Sequence, residues 1–305
     1  MRIVYLGTPD FSVNPLKALV ESGENVVAVI TNKDKPVGRK QILTPPPVKV
    51  YAESKGIKVF QYDSIKKEGV EDLKALKPDL MITCAFGQIL SKEILDIPTL
   101  YTLNIHASLL PKYRGASPIN YAILNGEKVT GITIMKTDVG IDTGDIMFSE
   151  ELAIGDNETA GQLFERLSVL GADCIVKALS IVKGGKAEFT KQDEELVTYT
   201  KIIKKEDAKI DFSLSAEEIV NKIRAFNPAP IAYCILNGEP FKIYSATATN
   251  GVGNAGEVVE NQKQLLVGTG KGLLKLERVQ KAGGKQLDVG DFLRGNEIPL
   301  HTVLG

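Results

Sequence analysis

The strongest constraint on the fold is the alternation of short, apolar, β-prone runs with helical patterns in the N-terminal part of the chain. Helical apolar spacing occupies the intervals between these runs, for example in the stretch that contains Leu16 and Leu19. Strands that alternate with helices form β-α-β units around a parallel sheet. The sequence therefore predicts an α/β, Rossmann-like N-terminal domain with a mainly parallel sheet, with strands at residues 2–6, 25–31, 58–60, 79–83 and 100–105.

The chain changes character after a long amphipathic helix, which we expect over residues 159–182. Two further strands are expected before it, at residues 131–135 and 146–150. After it, residues 192–209 are polar and charged without sustained periodicity, which indicates a linker. We therefore expect a first domain, a linker and a second domain, with the boundaries 1–189, 190–207 and 208–305.

The second domain is predicted to be mainly β. It opens with a helix at residues 215–226, where Ser215 and Glu218 have the spacing of a capping box. Short β-like runs follow, separated by turn dipeptides such as Asn237-Gly238. This pattern predicts a C-terminal OB-like β-barrel, with a β-sandwich as the alternative.

Composition argues against several classes of protein. The 305 residues carry a net charge of −1, so no overall basic charge indicates a nucleic-acid partner. The three cysteines (Cys84, Cys174 and Cys234) are widely spaced and form no CxxC pair, which fits a reducing cytoplasm and predicts neither a disulfide framework nor a metal site. No apolar run approaches the ~18 residues that span a bilayer. We expect a soluble, cytoplasmic protein with no membrane contact.

The candidate active site begins at the end of the strand over residues 100–105. Asn104 and His106 lie two positions apart, so their side chains project from one face. Open α/β sheets bind ligands at the carboxyl ends of their strands. Asp142, in the Gly- and Asp-rich loop over residues 138–145, is a candidate to join them. The alternatives are a packing histidine and an aspartate that only shapes a turn.

An amide, an imidazole and a carboxylate suit acyl transfer from an amide-like donor to an amine. A neutral amine is already a nucleophile, so no Ser or Cys intermediate is needed. The Asn side-chain N–H and a protonated His can stabilise the tetrahedral oxyanion. A His beside a carboxylate can also move the protons. The first βα turn, Gly7-Thr8-Pro9-Asp10, lacks a glycine-rich phosphate fingerprint, so a bound nicotinamide cofactor is not predicted.

Several characteristic stretches are distributed nearly from end to end of the chain. They are Gly7-Thr8-Pro9-Asp10-Phe11, Lys35-Pro36-Val37-Gly38-Arg39, Pro46-Pro47-Val48-Lys49, Ala85-Phe86-Gly87-Gln88-Ile89-Leu90, Asn104-Ile-His106-Ala-Ser108-Leu-Leu-Pro111-Lys-Tyr-Arg114-Gly115-Ala-Ser-Pro118-Ile, Gly131-Ile-Thr133, Asp138-Val-Gly-Ile-Asp142-Thr-Gly-Asp145, Ile223-Arg224-Ala225-Phe226-Asn227-Pro228 and Asp291-Phe292-Leu293-Arg294-Gly295. Together they resemble the motifs of the folate-dependent formyltransferases. One departure stands in the second half: Ala229-Pro230-Ile231-Ala232 replaces the Trp-Pro-Gly-Ala common in the family.

The resemblance implies a formyltransferase catalytic domain, with 10-formyltetrahydrofolate as formyl donor and no metal. It implies that the formyl group goes to the α-amino group of methionine on initiator methionyl-tRNA, for the initiation of translation, and a monomer is expected. Asn104, His106 and Asp142 carry over as catalytic residues, and Arg114 is either an anion clamp or a solvated charge. The residues implied to bind the folate are Phe86, Gly87, Gln88, Ile89, Leu90, Ser108, Leu109, Leu110, Pro111, Val139, Gly140 and Ile141.

Basic residues are concentrated in two places. The segment over residues 33–40 has four cations (Lys33, Lys35, Arg39 and Lys40) against one acid, and we expect it to be a flexible loop that contacts tRNA phosphates. The alternative is a solvated charged surface. A second basic set lies in the predicted barrel, a fold that often binds nucleic acid, and comprises Lys271, Lys275, Arg278, Lys281 and Lys285.

Two other functions remain open from the sequence. One is a related formyltransferase that acts on a small amine, such as an amino-sugar nucleotide. The other is a folate- or RNA-binding module without activity, against which the intact set of Asn104, His106 and Asp142 argues.

Overall fold

The computed structural model describes residues 1–38 and 40–305, and contacts between Cα atoms divide them into two compact units. The domain boundaries expected from the sequence stay a prediction. No helix among the described residues is long and apolar enough to cross a membrane. The first unit comprises Met1–Pro118, Val129–Ala153 and Phe164–Thr200, and the second comprises Ile119–Lys128, Ile154–Leu163 and Lys201–Gly305.

The elements follow the predicted alternation of strands and helices. The strands are β1 (Ile3–Gly7), β2 (Val26–Asn32), β3 (Lys35–Val37), β4 (Ile42–Thr44), β5 (Val59–Tyr62), β6 (Leu80–Cys84), β7 (Tyr101–His106), β8 (Arg114–Gly115), β9 (Val129–Lys136), β10 (Ile146–Ala153), β11 (Tyr199–Thr200), β12 (Tyr233–Leu236), β13 (Glu239–Thr249), β14 (Val258–Glu260), β15 (Leu265–Gly268), β16 (Leu273–Gln280) and β17 (Leu287–Asp288). The helices are α1 (Val13–Glu21), α2 (Pro47–Ser54), α3 (Ile65–Glu68), α4 (Val70–Leu76), α5 (Lys92–Leu95), α6 (Pro118–Leu124), α7 (Ala160–Lys183), α8 (Ala216–Ala225) and α9 (Val289–Gly295).

The main sheet of the first unit has the strand order β10-β9-β7-β6-β1-β2-β5. The pairs from β7 to β5 are parallel, and β9 and β10 are antiparallel additions. Strands β1 and β6 are buried along their whole length, as expected for central strands covered on both faces. Because neighbouring parallel strands end at one edge, β6 and β7 bring the residues that follow them together. The predicted fold class of this region is confirmed.

The basic segment is more ordered than its sequence indicated. We expected a flexible loop over residues 33–40, but β3 and β4 form an antiparallel hairpin, hereafter the basic hairpin (residues 33–44). Gly38, with φ of +72°, allows the turn. Charged residues and a proline interrupt the alternation of apolar residues, so the strands were not evident from the sequence.

The second unit contains a curled antiparallel sheet with the order β12-β13-β16-β15-β14, and β17 also pairs with β16. Its core includes Ile219 and Ile223 of α8 together with sheet residues such as Phe241 and Leu276. The capping box at the start of α8 is present as predicted, with Ser215 and Glu218 bonded reciprocally.

Residues 301–305, hereafter the C-terminal segment, bond to both edge strands of this sheet. Ile235 of β12 and Gly305 exchange two backbone hydrogen bonds, of 2.9 and 3.1 Å. On the other edge, Val258 of β14 donates to the Thr302 carbonyl at 2.9 Å. The segment thus bridges the two edges of the curled sheet, and the predicted fold class of this region is confirmed.

Candidate active site

Asn104 is held in one orientation by the neighbouring strand. Thr83 of β6 lies in register with Asn104 of β7, and its hydroxyl donates to Asn104 Oδ1 at 2.9 Å. A hydroxyl can donate or accept, so the orientation of the amide is identified at its other end, which faces the acceptor-only carboxylate of Asp142. Asn104 Nδ2 consequently points the other way and donates to Asp142 Oδ1 at 3.4 Å.

His106 is buried, with 6% of its surface exposed, and its two ring nitrogens have different partners. Nε2 lies 3.0 Å from the Tyr113 carbonyl oxygen. A carbonyl can only accept, so this hydrogen bond requires a proton on Nε2. Nδ1 lies 3.6 Å from Asp142 Oδ2. Nδ1 is therefore the ring atom at which a proton can be gained or lost, and it faces the carboxylate.

Asp142 is fixed through its side chain and its backbone conformation. Its φ of +54° lies in the left-handed region, which non-glycine residues adopt infrequently and which often marks functional sites. Oδ2 accepts the Gly115 backbone N–H at 2.8 Å. A Cβ on Gly115 would lie 2.7 Å from the carbonyl oxygen of Thr200 in β11, so only glycine fits at this position.

The structure therefore brings the three residues predicted to be catalytic into one cluster. Both the amide Nδ2 of Asn104 and Nδ1 of His106 are directed to the carboxylate of Asp142. Their chemical roles stay predictions. Sequence reasoning missed Thr83, Gly115 and Gln192, which hold the cluster in place. Only the glycine gave a sequence signal, because it lies within the stretch that resembles the formyltransferases.

Arg114 is buried rather than solvated, with 1% of its surface exposed. Its guanidinium donates to Gln192 Oε1 at 3.0 Å and to both carboxylate oxygens of Glu194, at 3.2 and 2.7 Å. The hydrogen bond to Glu194 raises the pKa of Arg114, and the same bond lowers the pKa of Glu194. The guanidinium is bonded to a carboxylate and an amide of the protein itself, so the structure gives no support to the interpretation of Arg114 as a clamp for a bound anion.

The residues predicted to bind folate follow strands β6 and β7 or lie in the loop that carries Asp142. Phe86, Leu90 and Leu110 are buried, whereas Ile89, Val139 and Ile141 are 67%, 66% and 59% exposed. Exposed aliphatic side chains beside buried polar groups are typical of a site that covers a flat, partly apolar ligand.

Two of these residues use their side chains within the protein. Gln88 donates to Asn32 Oδ1 at 2.7 Å and accepts the Ile65 N–H at 2.8 Å. Ser108 is fully buried and donates to the Lys112 carbonyl at 2.7 Å. Any contact of these two residues with a ligand would therefore come mainly from their backbone atoms. The remaining predicted folate residues, Gly87, Leu109, Pro111 and Gly140, are half-buried or exposed.

The cations predicted to bind tRNA differ in their surroundings. Lys33 pairs with Asp63, whose hydrogen bond raises the pKa of the lysine. Lys35 and Lys40 are exposed on the basic hairpin, and Arg39 lies outside the described residues. At the base of the hairpin, Lys49 donates to Asp34 at 2.9 Å.

No group of three or more His, Cys, Asp or Glu side chains in the described part of the chain is arranged to hold a metal ion. The three cysteines are buried and unpaired in disulfides. Burial raises the pKa of both Cys84 and Cys174 to about 12. They therefore resemble inert packing residues more than nucleophiles.

Two family models match most of the chain. Residues 1–179 match the model described as "Formyl transferase", and residues 202–297 match "Formyl transferase, C-terminal domain". The chain belongs to the formyl transferase family. It is 44% identical over 307 aligned residues to the methionyl-tRNA formyltransferase of Geobacter metallireducens, covering 100% of this chain and 99% of the relative. The methionyl-tRNA formyltransferase of Agathobacter rectalis is 45% identical, covering 98% and 97% of the two chains.

Solved structures of similar fold include two other N-formyltransferases. One is an N-formyltransferase from Helicobacter canadensis in complex with folinic acid and dTDP-3-aminofucose, with TM-score 0.71 and 26% identity, covering 92% of this chain and 99% of that one. Another is WlaRD, a sugar 3N-formyltransferase solved with dTDP and 5-N-formyl-THF, with TM-score 0.70 and 24% identity, covering 93% and 99%.

Proposed function

We propose that this protein transfers the formyl group of 10-formyltetrahydrofolate to the α-amino group of methionine on initiator methionyl-tRNA. The observation that carries the proposal is the cluster in which Asn104 Nδ2 and His106 Nδ1 both face Asp142, at 3.4 and 3.6 Å. The choice of methionyl-tRNA as acceptor is supported by full-length relatives named methionyl-tRNA formyltransferase, which are 44% and 45% identical to this chain. The reaction belongs to translation initiation, which fits a cytoplasmic enzyme, and we expect it to act as a monomer.

The reaction joins the amine nitrogen to the formyl carbon and breaks the bond from that carbon to N10 of the folate. Attack by the neutral amine gives a tetrahedral centre whose oxygen carries negative charge. Asn104 Nδ2 has two protons, one of them directed to Asp142, so the other can be offered to that oxygen. The hydroxyl of Thr83 fixes the amide, so this donor need not reorient during the reaction.

Proton transfer belongs to His106 and Asp142. The attacking nitrogen must lose one proton and the leaving N10 must gain one. Because Nε2 keeps its proton on the Tyr113 carbonyl, exchange takes place at Nδ1, beside the Asp142 carboxylate. The carboxylate stabilises the imidazolium that forms when Nδ1 takes the proton, as a positioned acid–base pair requires.

The folate is a substrate, and the residues present fit its chemistry. A pterin ring is flat and carries hydrogen-bonding groups on its edge. The exposed side chains of Ile89, Val139 and Ile141 can cover its faces, and loop backbone after β6 and β7 can meet its edge.

The basic hairpin is the tRNA-binding element of this proposal. Lys35 and Lys40 are exposed on it, together with the apolar side chains of Val37, Ile42 and Leu43. Exposed cations can neutralise phosphates along the acceptor end of the tRNA. Lys33 contributes less to this charge, because it is paired with Asp63.

A small amine is the second candidate acceptor. The Helicobacter canadensis structure with dTDP-3-aminofucose shares this fold over 92% of the chain. Its identity of 26% is well below the 44% shared with methionyl-tRNA formyltransferase, so the tRNA substrate is preferred.

The decisive experiment offers the protein labelled 10-formyltetrahydrofolate with three acceptors in parallel. They are methionine-charged initiator tRNA, free methionine and an amino-sugar nucleotide. We expect label on the charged tRNA alone, and loss of that label with the His106→Ala variant. Label on the sugar nucleotide with none on tRNA would replace the proposed function with the second candidate.

A further inference from the structure

The segment that follows the long helix reaches the active site through Gln192. The Gln192 side chain is buried, and its Nε2 donates to two backbone carbonyls, those of Asp142 and Gly144, each at 2.8 Å. Both carbonyls belong to the loop over residues 138–145. One amide group thus holds the loop on both sides of Thr143.

The orientation of Gln192 is fixed from its other end. Arg114 Nε donates to Gln192 Oε1 at 3.0 Å, which identifies Oε1 as the acceptor and leaves Nε2 for the loop. Arg114 is itself held by the carboxylate of Glu194, at 2.7 Å for the shorter contact. The chain of contacts therefore runs from Glu194 through Arg114 and Gln192 to the backbone of Asp142.

Residues 192–200 also support β8 and the residue before it, whose backbone groups contact His106 and Asp142. Strand β11 pairs in parallel with β8, and the Tyr113 N–H donates to Thr198 Oγ1 at 2.8 Å. The Tyr113 carbonyl holds His106, and the Gly115 N–H holds Asp142. Residues 192–200 thus act on both members of the acid–base pair from outside the active site.

We infer that Gln192 is a positioning residue for formyl transfer, which acts by fixing the backbone of Asp142 and Gly144. This role rests on the proposed function and deepens it. Asp142 has a left-handed backbone conformation, with φ of +54°, and the two amide hydrogen bonds hold the loop in it. Without them the carboxylate can leave its place beside His106 Nδ1.

The test uses Gln192→Glu, which keeps an oxygen for Arg114 and removes the donor to both carbonyls. Small misplacement of a catalytic group costs up to about 10²-fold in rate, so we expect kcat to fall by roughly 10- to 100-fold. The KM for charged tRNA should stay close to that of the parent, and the pH profile of kcat should change shape. Glu195→Gln is the matched control, because it makes the reverse exchange at an exposed position of the same segment.

Hydrogen–deuterium exchange provides a readout that needs no substrate. We expect faster exchange over residues 138–145 in Gln192→Glu, and parent-like exchange in β1 and β6. Inactivity of the parent towards tRNA would count against the proposed function, while the exchange result would still decide the positioning role.

A second variant, Gln192→Met, keeps the side-chain length without polar atoms. Parent-like kcat, pH profile and loop exchange in either folded variant would overturn the inference. If neither variant folds, the residue serves the fold rather than the position of Asp142, and the inference also fails.

Discussion

The active-site cluster and the basic hairpin lie in the same compact unit but are built in opposite ways. In the cluster, Asn104, His106 and Asp142 each contact groups that fix their direction, and His106 is 6% exposed. In the hairpin, Val37 is 56% exposed and Leu43 is 65% exposed.

The difference reflects what each region is proposed to do. Oxyanion stabilisation and proton transfer depend on fixed dipoles at short range, because their energy is lost if the groups must first reorient. Contact with a polyanion depends on accessible charge, which tolerates variation in geometry. Substitutions should therefore separate the two regions, with rate effects at the cluster and salt-dependent binding effects at the hairpin.

The largest effect is expected from the acid–base pair. His106→Ala and Asp142→Asn should each lower the rate of formyl transfer by about 10²- to 10⁴-fold, since each removes a partner in proton transfer. Single-turnover assays with charged tRNA would measure the loss, and circular dichroism would establish that the variants are folded. Near-parent turnover in folded His106→Ala would remove this histidine from the mechanism.

Asn104 should come next. Asn104→Ala removes an N–H donor to the developing oxyanion, and the expected loss in kcat is about 10²- to 10³-fold. Thr83→Val is the companion variant: it keeps the amide but removes the hydroxyl that orients it, so its loss should be smaller. Equal rates for Asn104→Ala and the parent would show that this amide is not part of the oxyanion site.

The hairpin should respond more weakly and in another measurement. Lys35→Ala and Lys40→Ala should each lower the slope of log affinity against log salt for tRNA by about one unit. Folate affinity and kcat at saturating tRNA should stay unchanged. Arg39→Ala carries the same prediction from the sequence, since a guanidinium can make paired phosphate contacts. Lys186→Ala, at an exposed position after α7, is the control. A slope change as large in the control would remove the hairpin's specific role.

The smallest effect is expected at Glu194, at the exposed end of the contacts that reach Asp142. Glu194→Gln should lower the melting temperature only slightly, because the carboxylate is 71% exposed and the glutamine oxygen can still accept from the buried Arg114. The hydrogen bond from Arg114 lowers the pKa of Glu194, so the stability that this ion pair contributes is complete at pH values above the usual pKa of glutamate. It is lost as pH falls through the lowered pKa. The melting temperatures of parent and variant should therefore converge in acid. A difference that persists there would show that it does not come from the Arg114–Glu194 ion pair.

Local signals in the sequence predicted most of the fold. Alternating apolar runs indicated the strands of the parallel sheet, and Ser215 with Glu218 indicated the start of α8. The basic hairpin was missed, because its apolar residues are exposed and interleaved with charges. Periodic spacing of apolar residues indicates a strand with one buried face, and every residue of β3 and β4 is exposed.

The candidate site was predictable only in part, for a different reason. Asn104 and His106 share a strand, so their proximity follows from two-residue spacing. Asp142 and Gln192 are separated by 50 positions, and a lone glutamine in a charged segment carries no periodic signal. The glutamine is visible only once the chain is folded and its two carbonyl partners are in place.

The C-terminal segment has a consequence for self-association. Edge strands present unpaired backbone groups that can template pairing with another molecule, which is a common route to aggregation. Here Ile235 of β12 and Val258 of β14, on opposite edges of the sheet, are both bonded by residues 301–305. Lys209 and Ile210 cover a further part of the β12 edge, at Tyr233. While the C-terminal segment is in place, these backbone groups are already hydrogen-bonded, and neither edge offers them to a second copy of the chain.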